Sequence, residues 1–278
     1  LNAENLEVAQ LGTERVSHLA FSRDGTLLVA GSQDDTCYVW DVTTQKLLQQ
    51  IPRSDGPVLC VEFIFDNDHI VTSSVSASVL VYSIKTGSVT HTISAPQAPV
   101  WSLAISPTET VLAAACGHGV IMLYDITAGF TALSTLYAFQ DVTRAAFSLT
   151  FCPVPNTCVL AACSPESSAA YLWDVENMGP TGPTLLSTVS SSSTSHLYSV
   201  TFSQDGALLA AACRDRQVRL YDTVTGRRLR MLQCTSVGDT EPSGFVPLCV
   251  QFSTQDSGVL VSGGLGKVGM VWKCKAEM

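Results

Sequence analysis

Val39-Trp40-Asp41 returns along this chain as Leu123-Tyr124-Asp125, Leu172-Trp173-Asp174 and Leu220-Tyr221-Asp222, with worn copies at Val81-Tyr82-Ser83 and Val271-Trp272-Lys273. The aromatics Trp40, Tyr82, Tyr124, Trp173, Tyr221 and Trp272 stand 42, 42, 49, 48 and 51 residues apart. Ahead of each come a short apolar strand, a turn and a strand of small residues. A repeat of about 40–45 residues with four strands per unit is the signature of a propeller blade, which buries its faces only by stacking on neighbours. The chain therefore reads as all-β: a β-propeller of six recognisable four-stranded blades, in one domain over residues 1–278.

The first strands align as Val16–Phe21, Val58–Phe63, Val100–Ile105, Ala146–Phe151, Leu197–Phe202 and Pro247–Phe252. Their second, fourth and sixth positions share a face, and the sixth is Phe or Ile in every copy, the period-two registration of a packed strand. Ser22-Arg23-Asp24-Gly25 and Ser203-Gln204-Asp205-Gly206 follow, where Asp-Gly supplies the positive φ of a tight hairpin. Second strands such as Val111–Cys116 and Leu208–Cys213 are dense in Ala, Ser, Gly and Cys, as sheets sandwiched between neighbours require to reach core density. Fourth strands follow at Lys46–Ile51, Ser88–Ile93, Thr131–Leu136, Thr184–Val189 and Arg228–Leu232.

The six repeats run over about 15–51, 57–93, 99–136, 145–189, 196–232 and 246–274. The last stops after its third strand. Leu6–Leu11 alternates like a strand and is expected to close that blade as its outer strand, so that no sheet edge stays open. Seven blades are expected instead if one is missing from the chain or supplied by a partner. Leu1 stands where an initiating Met would be, an expectation of something longer.

No apolar run reaches the ~18–20 residues that cross a bilayer, and no basic-then-apolar leader is read. Net charge is −9, which disfavours nucleic acid as the main partner because phosphate neutralisation needs a basic footprint. The ten cysteines fall mostly in small strand slots shared with Ser and Gly, where a free thiol behaves as a small hydrophobe. With no Asn-x-Ser/Thr acceptor in the chain, a reducing intracellular setting is expected, cytoplasmic or nuclear.

These residues resemble the WD40 repeat family across 6–274. Gly31-Ser32-Gln33-Asp34-Asp35-Thr36, running on to Trp40-Asp41, is similar to the family's Gly-Ser-x-Asp-x-Thr-x-x-x-Trp-Asp run, and Asp215 with Tyr221-Asp222 keeps the corresponding places. The resemblance implies a turn Asp bonded into a network with His and Trp. Here that Asp survives only as Asp34 and Asp215, replaced elsewhere by Ser76, His118, Ser167 and Gly266, and the Gly-His pair is absent. Blades held mostly by apolar packing rather than by a buried polar network are the expectation.

Catalytic chemistry finds no foothold. Ser262–Gly269 lacks the Gly and the Ser/Thr of a phosphate loop, Val261 and Val268 standing there instead. Cys152, Cys158 and Cys163 lack paired metal-ligand spacing, no nucleophile elbow exists, and the five histidines fall in separate stretches with no carboxylate at a telling offset. No enzyme, no cofactor and no metal is expected.

The resemblance implies protein partners, docked on the face carrying the fourth-to-first and second-to-third strand loops. Trp101, Phe147 and Tyr198 occupy the second position of consecutive first strands, and Phe245 lies in the longest feeding loop, 233–246. Exposed, they would anchor a partner; turned inward, they would be core. Six of the ten arginines lie between Arg214 and Arg230. Arg214 and Arg216 share that loop face and Arg227, Arg228 and Arg230 the opposite side, so either patch is a candidate for an acidic peptide, a phosphate or a phosphoinositide. The alternatives carried forward are a docking scaffold, a structural subunit of a large assembly, and a phosphate or acidic-peptide reader at the fifth repeat.

Overall fold

The computed structural model describes residues 14–53, 55–64, 67–96, 99–137, 148–179, 182–191, 195–234, 245–253, 258–265 and 269–273. Leu6–Leu11, Phe147 and most of the 233–246 loop lie outside them. No helix among the described residues is long and apolar enough to cross a membrane.

The strands form antiparallel meanders in sequence order, the six blades of an all-β propeller. Blade one holds β1 (Val16–Phe21), β2 (Leu27–Ser32), β3 (Thr36–Asp41) and β4 (Lys46–Pro52); blade two holds β5 (Val58–Ile64), β6 (His69–Ser74), β7 (Ser78–Ser83) and β8 (Val89–Ser94). Blade three holds β9 (Val100–Ile105), β10 (Val111–Cys116), β11 (Val120–Asp125) and β12 (Thr131–Tyr137); blade four holds β13 (Ser148–Phe151), β14 (Val159–Cys163), β15 (Ala169–Gly179) and β16 (Gly182–Ser190). Blade five holds β17 (Leu197–Phe202), β18 (Leu208–Cys213), β19 (Gln217–Asp222) and β20 (Arg228–Gln233). Blade six shows β21 (Val246–Phe252), β22 (Val259–Leu265) and β23 (Gly269–Lys273) among the described residues. The one helical turn among them, Gly117–Gly119, seats His118 at φ 59° in the slot of the family's turn Asp.

Two compact units divide the chain, Leu1–Leu103 and Ala104–Met278, the division falling within β9. In the first, Val29, Val39 and Ile51 of blade one pack on Val61, Ile70 and Tyr82 of blade two. Gly31 lies where this packing is tightest: a Cβ there would stand 2.5 Å from a Val58 methyl, so only glycine lets β2 approach β5. In the second unit the same scheme recurs three times. Ala113 and Leu123 meet Leu149 and Phe151; Ala161 and Leu172 meet Val200 and Phe202; Ala210 and Leu220 meet Val250 and Phe252. Small second-strand residues on one blade thus receive the fourth and sixth positions of the next first strand.

The recurring Asp after each aromatic has a local cause. Asp41 accepts from the Thr44 amide at 2.7 Å, Asp125 from Ala128 at 3.0 Å, Asp174 from Glu176 at 3.0 Å and Asp222 from Thr225 at 2.7 Å. In blades one, three and five the carboxylate therefore pins the turn into the fourth strand, whereas the Asp174 bond lies within β15. Asp24 and Asp205 do likewise for the first hairpins, with Gly25 and Gly206 at φ 72° and 69°. Hydrogen bonds to the ionised form hold the Asp24, Asp41, Asp125, Asp205 and Asp222 carboxyls below their ordinary value. A folded-state pKa lowered in this way contributes stability that is present above the unfolded value of about 4 and is lost as pH falls through the folded one. The thermal midpoint should accordingly hold between about pH 7 and 5 and fall below about pH 4. In a calorimetric pH series the Asp222→Asn variant should fall less steeply; an equal slope would exclude this carboxylate as a contributor.

Candidate interaction surfaces

Blade two carries a buried polar network, so the expectation of blades held mostly by apolar packing does not extend to it. Arg53, at the end of β4, is buried; its Nη1 donates to the Thr72 carbonyl at 2.9 Å and to the Thr72 hydroxyl. Its Nη2 reaches Asp55 Oδ2 at 2.9 Å, Ser74 Oγ at 3.1 Å and the Ser78 carbonyl at 3.0 Å, while Nε makes a charge contact with Asp55 Oδ1 at 2.5 Å. Ser76 and Ser78 donate to the same carboxylate. Ser76 stands in the turn slot where Asp34 stands in blade one. The carboxylate missing from that slot is supplied instead from the β4–β5 loop, two residues after the arginine that needs it. Partial burial would raise the Asp55 carboxyl, but hydrogen bonds from Ser78 and Ser76 and the Arg53 charge outweigh it and hold it low.

The two surviving turn carboxylates each bond the side chain four residues on. Tyr38 donates to Asp34 at 2.8 Å, and the Asp34 carboxylate also accepts from the Thr36 amide at 3.2 Å. In blade five Arg219, buried on β19, pairs with Asp215. One member of the arginine cluster is thereby turned inward. Arg214, Arg216, Arg227, Arg228 and Arg230 are exposed. The repeat aromatics Trp40, Tyr82, Tyr124, Trp173 and Tyr221 are buried, and Trp272 is half-buried against the fifth blade.

Of the aromatic anchors, Trp101 and Tyr198 are half-buried at matching positions of β9 and β17. Phe245 is 1% exposed within the cluster joining blades five and six, which makes it a packing residue rather than an exposed anchor.

Two sheet faces break the packing scheme. Leu19 and Phe21 of β1 are 54% and 62% exposed, although the matching Val61, Leu149, Val200 and Val250 and Phe151, Phe202 and Phe252 are buried. Val261 and Val271 of blade six are 43% and 70% exposed, although Val29, Ala161 and Ala210 and Val39, Leu172 and Leu220 at the same register are buried. Cys249, on that same face of blade six, is also exposed, whereas its counterpart Cys60 is buried. The expectation of buried cysteine slots fails at Cys249, which belongs to this exposed face. All nine described cysteines are free thiols.

Beside these surfaces, one His/Cys/Glu grouping with ligand atoms close enough for a metal ion occurs among the described residues: His18, Cys60 and Glu62.

Residues 6–95 match the family model of the Vps8 beta-propeller, and residues 87–125 and 182–222 match the WD domain, G-beta repeat. The chain is 25% identical over 170 residues to the target of rapamycin complex subunit LST8 of Mus musculus, covering 59% of this chain and 51% of that protein. It is 30% identical over 108 residues to the meiotic recombination protein rec14 of Schizosaccharomyces pombe, covering 39% and 36%. Over 212 residues it is 24% identical to the WD repeat-containing protein SL1-17 of Schistosoma mansoni, covering 74% and 64%. The chain thus spans about half the length of the curated relatives it matches.

Proposed function

Because this chain is a divergent member of the WD40 repeat family, we propose that it is a non-catalytic scaffold that holds other proteins together, in an intracellular setting. The observation that carries the reading is the pair Trp101 and Tyr198. Each presents a large, partly exposed aromatic at the second position of a first strand. Half-exposed aromatics on rigid strands bring contact area at little entropic cost, and such anchors dominate interface energy. The name of LST8, a complex subunit, supports protein partners of this kind. Buried free thiols fit a reducing compartment.

Trp101→Ala combined with Tyr198→Ala should abolish co-purification of partners, at about 2 kcal/mol or more per anchor, while leaving the thermal midpoint nearly unchanged. A large fall of the midpoint would assign both rings to the core instead, and the reading would fail.

A second reading, that of a structural subunit in a large assembly, rests on a different observation: the bare faces of blades one and six. Leu19, Phe21, Val261 and Val271 are apolar side chains whose counterparts elsewhere are covered by a neighbouring sheet. Apolar sheet faces of this kind are surfaces that a partner covers.

A further inference from the structure

We propose that His18, Cys60 and Glu62 form a zinc site that clamps the first strands of blades one and two. One ligand atom from each residue lies within 4.8 Å of the other two, so a single ion would have to draw them closer to reach its 2.0–2.3 Å bonds. Thiolate, imidazole and carboxylate together make a donor set suited to Zn2+: sulfur and nitrogen disfavour Mg2+ and Ca2+, which take oxygen shells. Three protein ligands leave a fourth position for water or for a group from a partner.

The surroundings are built as metal ligands need. His18 Nδ1 lies 3.0 Å from the Val61 carbonyl oxygen. With the ring proton donated there, Nε2 keeps its lone pair and the ring is held in place, the usual outer-shell arrangement of a ligating histidine. The Leu103 amide points at Cys60 Sγ at 3.4 Å, a donor that stabilises a thiolate. Among the described residues no hydrogen bond reaches the Glu62 carboxylate. Binding Zn2+ exchanges the Cys60 proton, released to solvent, for a metal–sulfur bond.

Comparison between repeats isolates the triad. The third position of the first strand is Ser102, Ser148 and Ser199 in blades three to five, and Ser148 Oγ accepts from the Val200 amide of the next blade at 3.3 Å. At Ser148, as at Cys60, that position links adjacent blades by a hydrogen bond from the next first strand. His18 is the one histidine there. Glu62 is the one carboxylate at the fifth position, held elsewhere by Ala20, Ala104, Thr150, Thr201 and Gln251. Both singular residues face the same Cys60.

The test titrates the chelator-stripped chain with Zn2+ alone against a chromophoric competitor, and with Co2+ for its thiolate-to-metal absorption. One Zn2+ per chain, a raised thermal midpoint and a Co2+–thiolate band are expected. His18→Gln and Glu62→Gln should each weaken binding by more than the ~10–100-fold that loss of an outer-shell partner costs, Cys60→Ser should remove the band, and Cys249→Ser should change nothing. Should Cys60→Ser fail to fold, the wild-type Co2+ band and the two Gln variants decide. Absence of stoichiometric binding, or equal affinity in wild type and both Gln variants, would overturn the site.

Discussion

Asp55→Ala should be among the most destabilising single changes in the first unit, at about 3–5 kcal/mol, because it strands a buried guanidinium without its counter-charge. For a chain of this size that corresponds to a fall of the thermal midpoint on the order of 10 °C. The ion pair itself need not be worth so much: removing both charges in Arg53→Met with Asp55→Ala should cost distinctly less than the sum of the single variants, since the desolvation penalty disappears with the charge. Thr72, Ser74 and Ser78 would then lose a donor but face no orphaned cation. Additive costs in a double-mutant cycle, or an Asp55→Ala effect under about 1 kcal/mol, would show that the network is solvated rather than buried.

The second large effect compares two residues at one register. Leu220 packs between blades five and six at 2% exposure, and Leu220→Ala should cost about 2–5 kcal/mol by lost transfer energy and a cavity. Val271, its counterpart one repeat later, is 70% exposed, so Val271→Thr should stay within about 0.5 kcal/mol in the isolated protein. A buried valine would resist that change, because the hydroxyl would need a partner. In a cell lysate the same face should matter: Val271→Arg should shift the protein out of a high-molecular-weight fraction by size exclusion without lowering the midpoint. If Val271→Thr costs as much as a core change, the face is already covered and the assembly reading fails.

Strand positions were largely legible because their causes are local. The second strands read from the chain as Leu27–Ser32, Val111–Cys116 and Leu208–Cys213 are the ones the structure shows, and Asp24-Gly25 and Asp205-Gly206 make the turns their chemistry predicts. The candidate sites were far less legible. Arg53 was passed over because nothing in Pro52-Arg53-Ser54-Asp55 distinguishes a buried guanidinium from a solvated loop; the serines that satisfy it lie on β6 and β7, some twenty residues on. Phe245, in the longest feeding loop, reads as an anchor from the sequence, whereas the structure places it in one apolar cluster with Phe252 and Leu260. Arg219 lies in the same arginine-rich stretch as the two exposed patches, and only its buried register on β19 pairs it with Asp215.

The sequence by itself determined the repeat, the alternation of buried positions and the turn types, since each depends on side chains a few residues apart acting on one strand or hairpin. Only the tertiary structure decided which polar groups meet. His18 and Cys60 are 42 residues apart and belong to different sheets, Asp55 replaces a carboxylate absent from another turn, and Val271 is exposed where Leu220 is covered. Such meetings depend on how one blade's face seats on the next, and a period read along a single strand carries no information about that seating.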